Sequence, residues 1–306
     1  MTRNKLIRLA LATTAMALGM SPAFAQSNFG GPIESKQIGE GVYLLSAGSN
    51  AVLVVGKKEA ILVDALVAAQ AEPLVKKVAE LTNLPVKYVV NTHYHGDHTG
   101  ANAAFRKLGA EVISTEEAAK TMAREVPNAR GTMNPPLAVE GRPTQTYKGS
   151  KTIKIDGKTV KMTQMPVSHT DGDAVVYIPQ ANVLIMGDLH HSNEYPVYDT
   201  VAGCQCGSYD GNIKADKKVL KMANDKTVIV PGHGEVTNKA ELKAYIEMLE
   251  KVRDQVNAMI KEGKSADEVV AAKLLAANPA VHAGGPDNRD SFIRVLYEAL
   301  KTGRGK

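Results

Sequence analysis

Short runs of apolar residues, broken by clusters of glycine and polar residues, predict strands at 42–45, 51–55 and 60–64. The gaps Ser46-Ala-Gly-Ser-Asn50 and Gly56-Lys-Lys-Glu59 carry turn chemistry, so the three strands read as a meander. The period then lengthens: Leu74, Val75, Val78 and Leu81 share one side of a helical segment at 72–81, with Pro73 tolerable in its first turn. A buried-looking strand at 86–90 follows, then a helix at 99–108, a strand at 111–113, and a helix capped by Ser114 with Glu117 three residues on.

Residues 125–150 contain Pro127, Pro135, Pro136 and Pro143 with several glycines, and read as an irregular excursion of the kind that often serves as a lid. Beyond it the pattern predicts strands at 151–155, 159–163, 174–178, 183–186 and 227–230, with a helix at 213–222 before the last. The remainder is helical. Asn238 caps with Glu241, and Leu242, Ile246, Leu249, Val252, Val256 and Ile260 form one stripe. Ser265 with Glu268 opens a second helix, and Asp290 or Ser291 a third, with Ile293, Leu296 and Leu300 inward.

The start of the chain breaks this pattern. A basic Met1-Thr-Arg-Asn-Lys-Leu-Ile-Arg8 precedes an apolar run at 9–20 and Ser21-Pro-Ala-Phe-Ala25, the form of a secretory signal cleaved after Ala25. The run is too short to span a bilayer, so no membrane anchor is expected after cleavage, and the protein is expected in the periplasm. The sequence thus divides into a leader at 1–25 and one domain at 26–306, with a core at 38–235 and C-terminal helices at 238–301.

Composition narrows the class. With 44% hydrophobic and 23% charged residues among 306, the chain is an ordinary globular one. Removing Arg3, Lys5 and Arg8 with the leader lowers the formal net charge from +5 to +2. Aromatic residues make up only 5%, and no basic run is interleaved with them, so a nucleic-acid partner is not expected. Cys204 and Cys206 sit in Gly203-Cys-Gln-Cys-Gly207, where a bridge would close a strained ring; they read as reduced or partly buried thiols in a loop without an assigned role, a reversible redox pair or a metal contact being the alternatives.

The decisive signal is that metal-ligand residue types follow apolar strand-like runs at four separate places. His93, His95, Asp97 and His98 follow Val90; His169 lies in Ser168-His-Thr-Asp-Gly-Asp173; Asp188 follows Ile185-Met-Gly187; His233 follows Val230-Pro-Gly232. Strand ends on a rigid sheet are where such sites are built. His93 and His95, two apart, joined by His169, make a three-imidazole site with an open position. Gly96 permits a turn that swings Asp97 and His98 toward a second metal, His233 completes that site, and Asp188 can bridge both.

The run His93-Tyr-His95-Gly-Asp97-His98, with His169, Asp188 and His233 in Pro231-Gly-His-Gly234, resembles the signature of the metallo-β-lactamase superfamily over about residues 38–235. The resemblance implies a four-layer αβ/βα sandwich, an α/β fold here extended by C-terminal helices, with the metals at one edge of its two sheets. It also places Asp64 beside the ligands as a supporting residue. The nitrogen and oxygen donors suit two zinc ions per chain, with iron or manganese as alternatives. Flavodiiron relatives usually carry Glu at the position of His95.

The resemblance further implies a hydrolase in which metal-activated hydroxide attacks a polarised carbonyl, with Asp97 catalytic as well as ligating. The residual positive charge favours a small anionic or carbonyl-containing substrate. His190 and His191 follow Asp188, and His190 and Tyr195 are the candidate substrate contacts, with Tyr198 nearby. Superfamily β-lactamases usually lack an Asp at the bridging position, so an exported ester, lactone or cyclic amide hydrolase is expected. The alternatives are a β-lactamase, a mono-iron persulfide dioxygenase, and a non-catalytic periplasmic metal or redox accessory protein.

Overall fold

The computed structural model describes residues 31–127, 132–192, 194–199, 207–275 and 285–303. The leader-like stretch 1–25 and Cys204 and Cys206 lie outside the described residues. Among those described, no helix is long and apolar enough to cross a membrane.

The predicted meander forms as β2 (Val42–Ala47), β3 (Ser49–Val55) and β4 (Ala60–Val63), preceded by β1 (Glu34–Gly39). The pattern did not anticipate β1, because it is a largely exposed edge strand of Glu-Ser-Lys-Gln composition with no apolar face. After α1 (Ala71–Leu81), β5 (Val86–Val90) joins the sheet in parallel. The helix expected at 99–108 is two pieces, α2 (Gly96–Thr99) and α3 (Asn102–Lys107). Then come β6 (Glu111–Thr115) and α4 (Glu116–Met122). Because β6 runs two residues further than expected, the cap of α4 is Thr115, whose hydroxyl accepts from Ala118 N, and not Ser114.

The excursion at 125–150 contains the short hairpin β7 (Val126–Pro127) and β8 (Met133–Asn134), then β9 (Gln145–Tyr147), which adds a parallel edge strand to β6. The second sheet consists of β10 (Ser150–Ile155), β11 (Lys158–Gln164), β12 (Ala174–Ile178) and β13 (Val183–His191). It closes with β14 (Val228–His233), parallel to β13, after α5 (Tyr209–Met222). Helices α6 (Lys239–Lys261), α7 (Ala266–Ala271) and α8 (Gly285–Thr302) follow. Asn238 caps α6, and Ser265 and Glu268 form a reciprocal capping box on α7, as expected. Helix α8 begins at Gly285, ahead of the expected start at 290 or 291.

The sheet orders are β1-β2-β3-β4-β5-β6-β9 and β10-β11-β12-β13-β14. Their facing sides share one apolar layer, in which Val52, Val54, Ile61 and Val63 meet Met162, Val176, Ile178 and Ile185. Leu74 and Val78 of α1 and Phe105 of α3 cover the outside of the first sheet, and α5, α6 and α8 cover the second. Four layers result, α/β/β/α. Strands covered on both sides have no polar face, which explains why β13 is buried along its whole length.

Candidate metal centre

The strand ends and loops deliver the ligand-type side chains to one place. β5 runs into His93, His95, Asp97 and His98; β13 carries Asp188; β14 ends on His233; the loop between β11 and β12 carries His169. Gly187, at φ 55, bends β13 against Thr92, where a Cβ would come within 2.5 Å of the Thr92 hydroxyl. A Cβ on Gly232 would collide with the Asp188 carboxylate, so that glycine is what makes room for it. Asn50 ties the sheets together at this edge, donating to the carbonyls of Pro231 and Gly234.

Two groups of donors form. His93, His95, His169 and Asp188 offer atoms that all lie within 4.8 Å of one another, and so do Asp97, His98, Asp188 and His233. In the first, Nε2 of His93 and Nε2 of His169 stand 3.1 and 2.9 Å from Nδ1 of His95. In the second, Nε2 of His98 lies 3.0 Å from Asp188 Oδ1, and Nε2 of His233 lies 3.2 Å from Asp97 Oδ2. Asp188 Oδ2 is 3.4 Å from both His169 Nε2 and His233 Nε2. Asp188 is thus common to both groups.

The outer nitrogens decide what the inner ones can do. His169 Nδ1 donates to Val197 O at 2.6 Å and His233 Nδ1 to Gly48 O at 2.8 Å. His98 Nδ1 faces Asp64 Oδ2 at 3.0 Å, and His95 Nε2 faces Asp199 Oδ2 at 3.1 Å. Thr92 gives its hydroxyl proton to Asp64 Oδ2, so its oxygen accepts from His93 Nδ1 at 3.1 Å. With one proton per ring, placed on the outer nitrogen, each ring turns a lone pair inward. Five such lone pairs cannot hydrogen-bond to one another without a cation or further protons between them. His98 Nε2 and Asp188 Oδ1 are buried facing each other at 3.0 Å and have no other hydrogen-bond partner.

Such a donor set fits divalent cations, and protons are its alternative occupants. Burial opposes charge on His95, yet the Asp199 carboxylate outweighs it and pulls that imidazole up to about 9. Against the same burial, Asp188 and Asp97 pull His233 up to about 10. Burial and the neighbouring His98 hold His93 well below its ordinary value.

Asp64 occupies the supporting place expected of it. It sits in the left-handed region at φ 59, which aspartate tolerates, and accepts from Thr92 N, the Thr92 hydroxyl and His98 Nδ1. Gly96 corrects an expectation: its backbone is not left-handed, and it opens the short helix α2 with no need of glycine's freedom.

His190 and Tyr195 are not brought to the centre. The ladder between β13 and β14 shifts register between Gly187 and His191, and His191 pairs with His233. His191 therefore turns toward Asp188, with Nε2 3.6 Å from Oδ2 and Nδ1 3.5 Å from Glu194. His190 turns away and packs edge-on against Tyr245 of α6, ring centroids 4.6 Å apart. Burial there pushes its pKa down to about 3. Tyr195 stacks on Phe292 of α8 at 5.1 Å, and Tyr198 lies against Tyr209 in the same core.

Asp199 is the functional residue that sequence reasoning missed. It accepts from the Tyr94 hydroxyl and faces His95, while its amide donates to His169 O at 3.1 Å. No spacing announces it, because it is an ordinary aspartate in an irregular loop.

Residues 47–233 match the family model of the metallo-β-lactamase superfamily. The chain belongs to this superfamily. Among curated relatives, the metallo-β-lactamase IND-1 of Chryseobacterium indologenes is 28% identical over 206 residues, covering 66% of this chain and 79% of that one. The hydroxyacylglutathione hydrolase GloC of Haemophilus influenzae is 25% identical over 189 residues, covering 61% and 85%. Among solved structures, a metallo-β-lactamase from Pontibacter korlensis superposes with a TM-score of 0.58 at 22% identity, covering 71% of this chain and 99% of that one. The four-layer architecture is thus the metallo-β-lactamase fold. As a superfamily member the chain is a metal-dependent hydrolase by class.

Proposed function

We propose that the protein hydrolyses a carboxylic ester, lactone or cyclic amide, with two zinc ions held by His93, His95, His169 and Asp188 and by Asp97, His98, Asp188 and His233. The observation that carries this reading is the single Asp188 carboxylate shared between two convergent donor groups. Four nitrogen and oxygen donors in each group suit zinc. When bound, such a pair supplies Lewis-acid polarisation of a carbonyl and an activated water.

The protein's own residues prepare that step. Although burial works against it, His233 and His98 hold the Asp188 carboxyl well below its usual range, so it stays ionised. His98 does the same for Asp97. The Asp97 side chain is 20% exposed against 5% for Asp188, so Asp97 is the carboxylate that reaches the open cleft and can carry a proton to the leaving group. The Ser49 hydroxyl, donating to Asp97 O at 2.7 Å, fixes the backbone beneath it. Two divalent cations against two carboxylates leave the cleft positive, which favours an anionic or carbonyl-rich small molecule.

Opening of β-lactam rings is the second reading, supported by the similarity to IND-1. A one-iron dioxygenase has less support, because two complete donor groups are assembled. A redox accessory role would rest on Cys204 and Cys206, outside the described residues. Export to the periplasm belongs to the same proposal and rests on the leader-like sequence at 1–25. The test is acid release by the zinc-loaded protein in a pH-stat, across esters, lactones, thioesters, penams and cephems, with a chelated control. Chelator-sensitive release fastest on esters or lactones supports the first reading and fastest on β-lactams the second; silence on all of them removes both.

A further inference from the structure

Beside the metal centre lies an apolar patch that belongs to none of the three large cores. Tyr94, Ala118, Met122 and Val126 form a small separate cluster with Leu137 packed on it. The Leu137 amide donates to Met122 O at 2.8 Å, which holds the excursion after α4 against that helix. A cavity of about 300 Å³ lies against this cluster, and His95 and Gly96 also line it. His95 turns Nδ1 toward His93 and His169, so the cavity borders the three-histidine group through this ring.

The φ of Gly96 is not left-handed, and a Cβ built there would meet nothing within 4 Å. Neither backbone conformation nor packing calls for glycine at this position. What the missing side chain leaves is open space on the cavity wall next to His95.

We propose that this cavity receives the apolar acyl chain of the substrate, with Gly96 as its open mouth and Met122, Val126 and Leu137 as its wall. The assignment rests on the hydrolase reading above and gives it a substrate class: esters or lactones of medium-chain carboxylic acids. Water adds across the acyl C–O bond; a new C–OH forms on the acyl carbon, and the departing alkoxide takes the proton. The scissile carbonyl lies at the metal centre and the chain trails past Gly96. Met122, Val126 and Leu137 offer a polar acyl group no hydrogen bonds in place of those it loses to water on their side of the cavity, whose remaining lining includes Thr99, Thr121, Arg124 and Asn134. Each methylene buried there is worth about fourfold in binding.

The experiment compares p-nitrophenyl acetate, butyrate, hexanoate and octanoate with the zinc-loaded full chain. The expected kcat/KM rises about threefold to fourfold per methylene and then levels off as the chain fills the cavity. Leu137→Trp fills the cavity and Gly96→Leu closes its mouth, so each lowers the octanoate-to-acetate ratio about tenfold or more. A flat series in the wild type, or an unchanged series in both variants, overturns the proposal.

Calorimetric titration with sodium octanoate and sodium acetate reads the cavity without turnover. Wild type binding octanoate about tenfold or more tightly than acetate, with the preference lost in the variants, sustains the cavity even if no ester is cleaved. In that case the hydrolase reading alone fails. Equal affinities in the wild type overturn the cavity assignment. Should Leu137→Trp unfold, Gly96→Leu carries both measurements, since its side chain enters open space.

Discussion

Oδ2 of Asp199 lies 3.1 Å from Nε2 of His95, and this contact fixes which nitrogen of the ring faces the metal centre. Removing it frees the ring to flip and to take the other tautomer. Asp199→Ala is expected to weaken zinc at the three-histidine group by about 10- to 100-fold while the second group still loads. Competition with a chromophoric chelator should resolve one tight and one weak zinc; two unchanged affinities would show that Asp199 does not position His95.

Asp64 makes the matching contact on the other side, 3.0 Å from His98 Nδ1. Asp64→Asn keeps a side chain that tolerates the left-handed backbone but loses the carboxylate. The same titration should then show the weakening, again about 10- to 100-fold, at the group of Asp97, His98 and His233. If both substitutions weaken the same zinc, the division into two separately supported groups is wrong.

Asp188 belongs to both groups, so its loss cannot be confined to one. Asp188→Ala should lower occupancy at both sites and abolish turnover, with far-ultraviolet circular dichroism unchanged. Metal analysis after gel filtration checks occupancy, and full activity in this variant would remove the bridging role.

Zinc binding should release protons. In the metal-free protein His95 and His233 titrate near 9 and 10, so both carry protons at neutral pH that a metal must displace. Affinity therefore rises with pH through this range, and zinc added to weakly buffered apoprotein should acidify the solution. Stability of the apoprotein follows the opposite course. Folded pKa values raised above the ordinary 6.5 contribute stability that is fully present below 6.5 and lost as pH climbs through 9 and 10. Asp173, which burial pushes up to about 8, acts in the same direction. His190 and His169, lowered to about 3 and 4 chiefly by burial, remove stability on the acid side below 6.5. Melting temperatures of the apoprotein from pH 4 to 10 should peak near 6.5, and a monotonic curve would contradict this balance.

Tyr195 packs on Phe292 and stands apart from both donor groups. Tyr195→Phe should leave kcat/KM unchanged, whereas Tyr195→Ala should cost about 3 kcal/mol of stability by opening a hole under α8. A large fall in kcat/KM for Tyr195→Phe would return this residue to the substrate site.

The seven ligand-type residues were legible because each follows an apolar run that announces a strand, and strand ends in a layered fold meet at one edge. His190 and His191 both follow Asp188 in sequence, and nothing local says which turns toward it; the register shift that selects His191 comes from pairing with β14. The edge strand β1 was missed for a related reason, since a strand without a buried face leaves no period to detect.

Local sequence by itself determined most of the elements and the donor set, because apolar period, turn residues and caps act over a few neighbours. Asn238 and the Ser265–Glu268 box terminate helices through contacts three residues long. Only the tertiary structure decided which nitrogen each histidine turns inward. That choice rests on Asp64, Asp199, Val197 O and Gly48 O, partners that lie 28 to 185 residues away from the rings they hold. A hydrogen bond needs proximity in space and carries no requirement on sequence distance, so the chain must fold before these partners exist.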